Sequence, residues 1–151
     1  MLAVAFSPDG KTLADASNPR TLRLWNPATG ELTAKRADLL STVYSLAFSP
    51  DGETLASSDN EGTAWLQQHP PSGRSIIASG GETNAVAFSP DGRTLAGAGR
   101  DGRIRFWDPR TGRLTATLTG HTGNVGAVAF SPDGKILASG ADDDTVRLWK
   151  L

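Results

Sequence analysis

His121, Ser139 and Asp143 have the composition of a nucleophilic triad: a base, a hydroxyl and a carboxylate to orient the base. A nucleophile also needs an exposed Oγ and an oxyanion hole, and no motif in the chain supplies one. The reading favoured here is a buried hydrogen-bond network, because polar groups taken out of water need partners. Asp142-Asp143-Asp144 lacks the alternating ligands, central glycine and distal glutamate of a calcium loop, and reads as a solvated turn. His69 and His121 have no partners at zinc-ligand spacing. Ser79-Gly80-Gly81 is not followed by the lysine and hydroxyl that a phosphate loop uses. His69-Pro70-Pro71 reads as a stiff turn rather than a polyproline ligand. No catalytic residue, cofactor or metal site is therefore expected.

With 151 residues the chain is long enough for one ordinary domain. Its 17 glycines and 9 prolines point to many short elements joined by many turns. The net charge of −1, with scattered rather than massed cations, offers no bulk field for nucleic acid or an anionic membrane. No apolar run is long enough to span a bilayer, and Met1-Leu2-Ala3-Val4-Ala5-Phe6 lacks the basic start of a signal peptide. The chain has no cysteine, which excludes disulfides and thiolate chemistry and fits a reducing, cytoplasmic setting.

The elements that must position these residues are repeated. Ala-Phe-Ser-Pro-Asp-Gly begins at Ala5, Ala47, Ala87 and Ala129, at intervals of 42, 40 and 42. Each copy continues with Leu-Ala, at Leu13, Leu55, Leu95 and Leu137. Further strands open at Thr21, Thr63, Arg103 and Thr145, and a fourth segment spans Glu31 to Ala34, Arg74 to Ala78 and Arg113 to Leu118. Each copy thus predicts strands a, b, c and d, with period-2 alternation and a Ser-Pro-Asp-Gly turn joining a to b. A single such sheet has two apolar faces and cannot bury both alone, so the copies should stack around an axis. No helix of consequence is expected.

These residues resemble the WD40 repeat, a resemblance carried by the period, by Gly120-His121 and by Trp107-Asp108. It covers the whole chain. It implies an all-β fold: β-propeller blades of four-stranded antiparallel sheets, in four repeats at about 1–36, 43–78, 83–118 and 125–151, the last lacking its outer strand. It also implies a network joining the Gly-His histidine, a strand-b hydroxyl, a b–c turn aspartate and the strand-c tryptophan. Repeat four has all four, as His121, Ser139, Asp143 and Trp149. Repeat three keeps Asp101 and Trp107, with Ser79 and Gly97 at the other two places. Repeat two keeps Ser57, with Leu39, Glu61 and Gln67 elsewhere. Repeat one keeps Trp25, with Asp15 at the serine place and Pro19 at the aspartate place. Trp65 stands where the siblings have Arg23, Arg105 and Arg147, as a contact residue or, by the reading favoured here, packed against Gln67 to rebuild its blade.

The resemblance further implies a non-catalytic scaffold that binds a protein or peptide partner. The binding face would be built from d–a and b–c loops, carrying Thr42, Tyr44, Asn60, Glu82, Asn84, Arg100, Asn124 and Asp142. Its mixed polarity suits a protein better than a nucleic-acid backbone. The rival classes are an architectural or regulatory segment of a multidomain signalling protein and, more remotely, a hydrolase. Opening on strand a and stopping on strand c, the chain is expected to be part of a larger propeller with missing upstream blades, or to close as a homodimer of four blades plus four. A strained ring of four is the least favoured outcome. Repeat two, having lost most of the network, is expected to be the least stable blade. Its amides should exchange fastest by mass spectrometry, and slowest exchange there would contradict this.

Overall fold

Alternation in the strands and glycine-ended turns between them set the architecture. The computed structural model describes residues 3–17, 21–36, 42–59, 64–68, 75–78 and 82–151, and of residues 17, 36, 64–68 and 75–78 the backbone alone. The first unit comprises β1 (Ala3–Phe6), β2 (Leu13–Ser17), β3 (Thr21–Asn26) and β4 (Glu31–Arg36). The second has β5 (Val43–Phe48), β6 (Thr54–Asp59), β7 (Ala64–Gln68) and β8 (Ser75–Ala78). The third has β9 (Thr83–Phe88), β10 (Leu95–Gly99), β11 (Ile104–Trp107) and β12 (Leu114–Leu118), and the fourth β13 (Val125–Phe130), β14 (Ile136–Ala141) and β15 (Val146–Lys150). Each unit is an antiparallel meander in sequence order, giving three sheets of four strands and one of three. The described residues include no helix. The all-β blade architecture is as the repeat predicts.

The a–b turns are built alike. Ser7, Ser49, Ser89 and Ser131 each donate from Oγ to Oδ1 of the aspartate two residues on, at 2.5–2.6 Å. Each hydroxyl also accepts the N–H of the residue five positions on, at 2.9–3.0 Å. The serine bond, seconded by a backbone N–H, holds Asp9, Asp51, Asp91 and Asp133 below the usual carboxylate range. The closing glycines Gly10, Gly52, Gly92 and Gly134 have φ of 69–75°, a region that other residues enter at a cost. The turns also touch: a Cβ on Gly52, Gly92 or Gly134 would lie 3.4–3.6 Å from the proline ring of the preceding turn, Pro8, Pro50 or Pro90.

Each sheet has two unlike faces. In the first, Ala3, Ala16 and Leu22 form one row, and Ala5, Ala14 and Leu24 the next. This small-residue side is the alanine face. Phe6, Leu13 and Trp25 are aligned on the other side, the aromatic face. Three buried clusters join the sheets, always in the same sense. The first packs Ala14, Ala16, Leu22 and Leu24 against Leu46 and Leu55 of the second sheet. The next sets Ala56 against Val86, Leu95 and Trp107. The last sets Ala96, Ala98, Ile104 and Phe106 against Val125, Leu137 and Trp149. Leu95, Ile104, Val125 and Leu137 are fully buried, and burial of such a side chain contributes about 1.5–3 kcal/mol.

The b–c turns of the last two blades differ at one place. Gly102 has φ 76°, and a Cβ there would come 2.6 Å from the carbonyl oxygen of His121 in the next blade. Asp144, at the matching position, has φ 59° and is the one described residue other than glycine with positive φ. Aspartate tolerates this region better than most residues but less well than glycine. Asp144→Gly should therefore stabilise the fold by about 0.5–1 kcal/mol, while Gly102→Ala should destabilise it by more than that. Urea unfolding monitored by tryptophan fluorescence checks both signs.

Candidate functional site

Two constellations combine polar groups: one between strands of the fourth blade and one along the loops at one end of the sheets. In the fourth blade, β14 carries Ser139 opposite Arg147, and β15 places Trp149 two residue pairs along, on the same face. Trp149 Nε1 donates to Ser139 Oγ at 2.8 Å, and Ser139 Oγ lies 2.8 Å from His121 Nε2. His121 Nδ1 is 2.9 Å from Asp143 Oδ2. An ionised Asp143 can only accept, so Nδ1 carries the proton and Nε2 accepts from the serine hydroxyl. Asp143 also accepts from Thr145 Oγ1 at 2.6 Å and from the Thr122 N–H at 2.9 Å. These two donors, with His121 behind them, hold its carboxyl far below the ordinary range.

The hydrogen-bond order tryptophan, serine, histidine, aspartate contains that of a serine nucleophile with its base. Its surroundings forbid the chemistry. Ser139 is 2% exposed, and an indole N–H occupies its oxygen. Attack on a substrate needs that oxygen free and reachable. The arrangement instead ties the d–a loop at His121 to β14, β15 and the b–c turn, with every buried polar atom partnered.

The third blade solves the same place differently, and here the structure corrects the sequence reading. Trp107 joins no hydrogen-bond network: its Nε1 is buried and meets no acceptor among the described residues. Gly97 supplies no hydroxyl, and the indole fills the room a side chain would need. A Cβ on Gly97 would lie 2.5 Å from Trp107 Cζ3. Asp101 pairs with an arginine rather than a histidine. Arg105 Nη1 and Nη2 donate to its two oxygens at 3.0 and 2.6 Å. This fork lowers the Asp101 pKa, and the buried Arg105 side chain takes the place of His121 as partner of the b–c turn aspartate. In the first blade Asp15, at the serine place, accepts directly from Trp25 Nε1. Neither substitute was read from the sequence. The signal available was a charged residue at an inward strand position, Asp15 opposite Arg23 and Arg105 opposite Gly97.

The loop constellation gathers most of the expected partner-binding residues. In the third blade the Arg100 N–H donates to the Glu82 carbonyl at 3.0 Å, and their exposed side chains pair at 3.2 Å. In the fourth, the Asp142 N–H donates to the Asn124 carbonyl at 2.9 Å, and Asn124 Nδ2 donates to Asp142 Oδ2 at 3.0 Å. Asn84 Nδ2 crosses between blades to Asn124 Oδ1 and to the Val125 carbonyl, the latter at 3.0 Å. Ser58 Oγ donates to the Asn84 carbonyl at 3.2 Å. A polar strip thus runs from the second blade to the fourth. Asn84 and Asn124 serve it as ties between loops, while Glu82, Arg100 and Asp142 remain exposed. Thr42 and Tyr44 are half-buried at the matching places of the second blade.

Asn60, Pro19, Leu39, Glu61, His69-Pro70-Pro71 and Ser79-Gly80-Gly81 lie outside the described residues, as do the side chains of Trp65 and Gln67. Among the described residues, no group of three or more His, Cys, Asp or Glu side chains is placed to hold a metal ion.

Ser139→Ala would leave Trp149 Nε1 and His121 Nε2 buried without partners, a loss of about 1–3 kcal/mol in denaturant unfolding at neutral pH. A carboxylate with a lowered folded pKa stabilises fully above its ordinary value of about 4 and progressively less as the pH falls below that. The native chain should therefore lose melting temperature progressively as the pH falls below about 4, and Asp143→Asn should flatten part of that slope. The four turn aspartates and Asp101 account for the remainder.

A family model described as WD domain, G-beta repeat, matches residues 1–26, 35–66, 68–108 and 112–150. No curated protein sequence matches the chain significantly. Its four matched segments, its blade-like sheets and the buried network of the fourth blade agree, and the chain belongs to the WD40 repeat family.

Proposed function

We propose that this chain is a non-catalytic protein-interaction scaffold that docks a protein or peptide partner on the face formed by its d–a and b–c loops. WD40 repeat domains generally serve as interaction scaffolds, which supports the class of function. The observation that carries the choice of face is the polar strip. It holds its backbone by loop-to-loop hydrogen bonds while presenting Glu82, Arg100 and Asp142 outward. A surface fixed before binding loses little conformational freedom when a partner arrives. Both charge signs alternate along it, and Tyr44 adds an aromatic ring of the kind enriched in protein interfaces. The scaffold works as part of a larger propeller or after closing by self-association. Its cysteine-free composition fits a cytoplasmic setting.

The test is proximity labelling with the native chain beside a Tyr44→Ala/Arg100→Ala double variant whose melting curve matches it. The expected outcome is that a discrete set of proteins labelled by the native chain is lost with the variant. An unchanged set would place partner binding elsewhere. An esterase or peptidase activity lost with Ser139→Ala but kept in the double variant would replace the scaffold reading altogether.

A further inference from the structure

At each blade junction the alanine face of one sheet meets the aromatic face of the next, so every junction has the same direction. Two faces of the chain are left over, and they are of opposite kinds. On the first sheet the aromatic face lies open: Val4 is 66% and Phe6 61% exposed, whereas Leu46 and Val86, at the place of Val4 in the next two sheets, are 8% and 6% exposed. On the fourth sheet the alanine face lies open: Val146 is 75% and Leu148 70% exposed, whereas Ile104 and Phe106, their counterparts in the third, are 0% and 6% exposed. The rows behind them repeat the covered pattern, Ala129–Ala138–Leu148 where the third sheet has Ala87–Ala96–Phe106.

We infer that the 151-residue chain pairs head to tail with a second copy of itself, the open aromatic face of one copy seating on the open alanine face of the other. This inference names the self-association that the scaffold reading includes and rests on it only there, because the loop face is not involved. The open aromatic face is finished like its covered siblings. Asp15 accepts the Trp25 indole N–H on it, so the buried donor that such a junction needs to satisfy is already paired. A directional junction between identical chains either closes a ring or runs on as a fibre. Propellers typically close at four to eight blades, and two copies of four reach the upper end of that range. Two copies related by a twofold axis make both missing junctions at once.

The experiment is light scattering on the purified chain across a concentration series, with Phe6→Glu and Leu148→Glu variants. Both positions are exposed in the single chain, and circular dichroism establishes that each variant still folds. The native chain should have twice the monomer mass, and each variant alone should be monomeric, since either substitution spoils both junctions. Mixing the two variants restores one good junction, so a heterodimer should form with a Kd at least tenfold weaker than that of the native pair. A native chain that stays monomeric overturns the inference. A dimer lost with only one of the variants indicates a like-to-like contact and also overturns it. A continuous ladder of masses overturns the two-copy ring. Partner labelling by a monomeric variant, lost only with Tyr44→Ala/Arg100→Ala, would keep the loop-face reading whichever way these results fall.

Discussion

A four-stranded sheet of alternating residues has two apolar sides, and this molecule gives the two sides different shapes. Alanines leave one side shallow, with Leu22 and Leu24, or Ile104 and Phe106, standing beside them on strand c. Phenylalanine, leucine and tryptophan make the other side deep. Deep seats on shallow, so sheets stack in one direction only, and three junctions built this way hold the domain together. Close packing makes the match unforgiving, because neither an alanine enlarged nor a leucine trimmed leaves the neighbouring sheet undisturbed. The turns and polar networks work within limits that this stacking sets.

The polar networks show how much freedom is left once stacking is satisfied. The tryptophan of strand c brings an indole N–H to the aromatic face, and blades one, three and four treat that donor in three ways. Ser139 receives it in the fourth, Asp15 in the first, and in the third it meets no acceptor among the described residues. The third blade recovers order elsewhere, through the two-pronged Arg105–Asp101 pair. Arg105 grips both carboxylate oxygens in one planar fork, a geometry that a histidine ring does not supply.

The strands, the a–b turns and the complete network of the fourth blade were legible because each rests on local chemistry repeated at a fixed interval. Ser-Pro-Asp-Gly specifies its own hydrogen bonds within six residues, and four copies make the pattern unmistakable. The substitute pairs were not legible, because Arg105 reaches back to Asp101 across a turn whose closure the residue types alone do not reveal. The same holds for Asn84. It stood out only as a polar loop residue, yet its amide reaches the next blade at Asn124 and Val125, partners 40 and 41 residues away. Contacts at that separation depend on how the sheets stack, and the direction of stacking lies in a contrast between faces that becomes visible only when registers are known. Trp107 was misjudged for a related reason: the glycine at position 97 was read as a missing partner, whereas it is the space into which the ring fits.

The prolines of the a–b turns bear on how such a chain can change. Pro8, Pro50 and Pro90 each lean on the glycine of the following turn, so neighbouring turns form a staircase with a fixed step. A residue inserted into one turn would spoil its contacts with the turns on both sides, whereas the loops at the opposite end carry different residues in every blade. Length is thus pinned at one end of the molecule and composition is free at the other. A lineage built on this plan gains or loses material most readily in whole units of about forty residues, each arriving with its own rung of the stair, and it diversifies by rewriting the far loops.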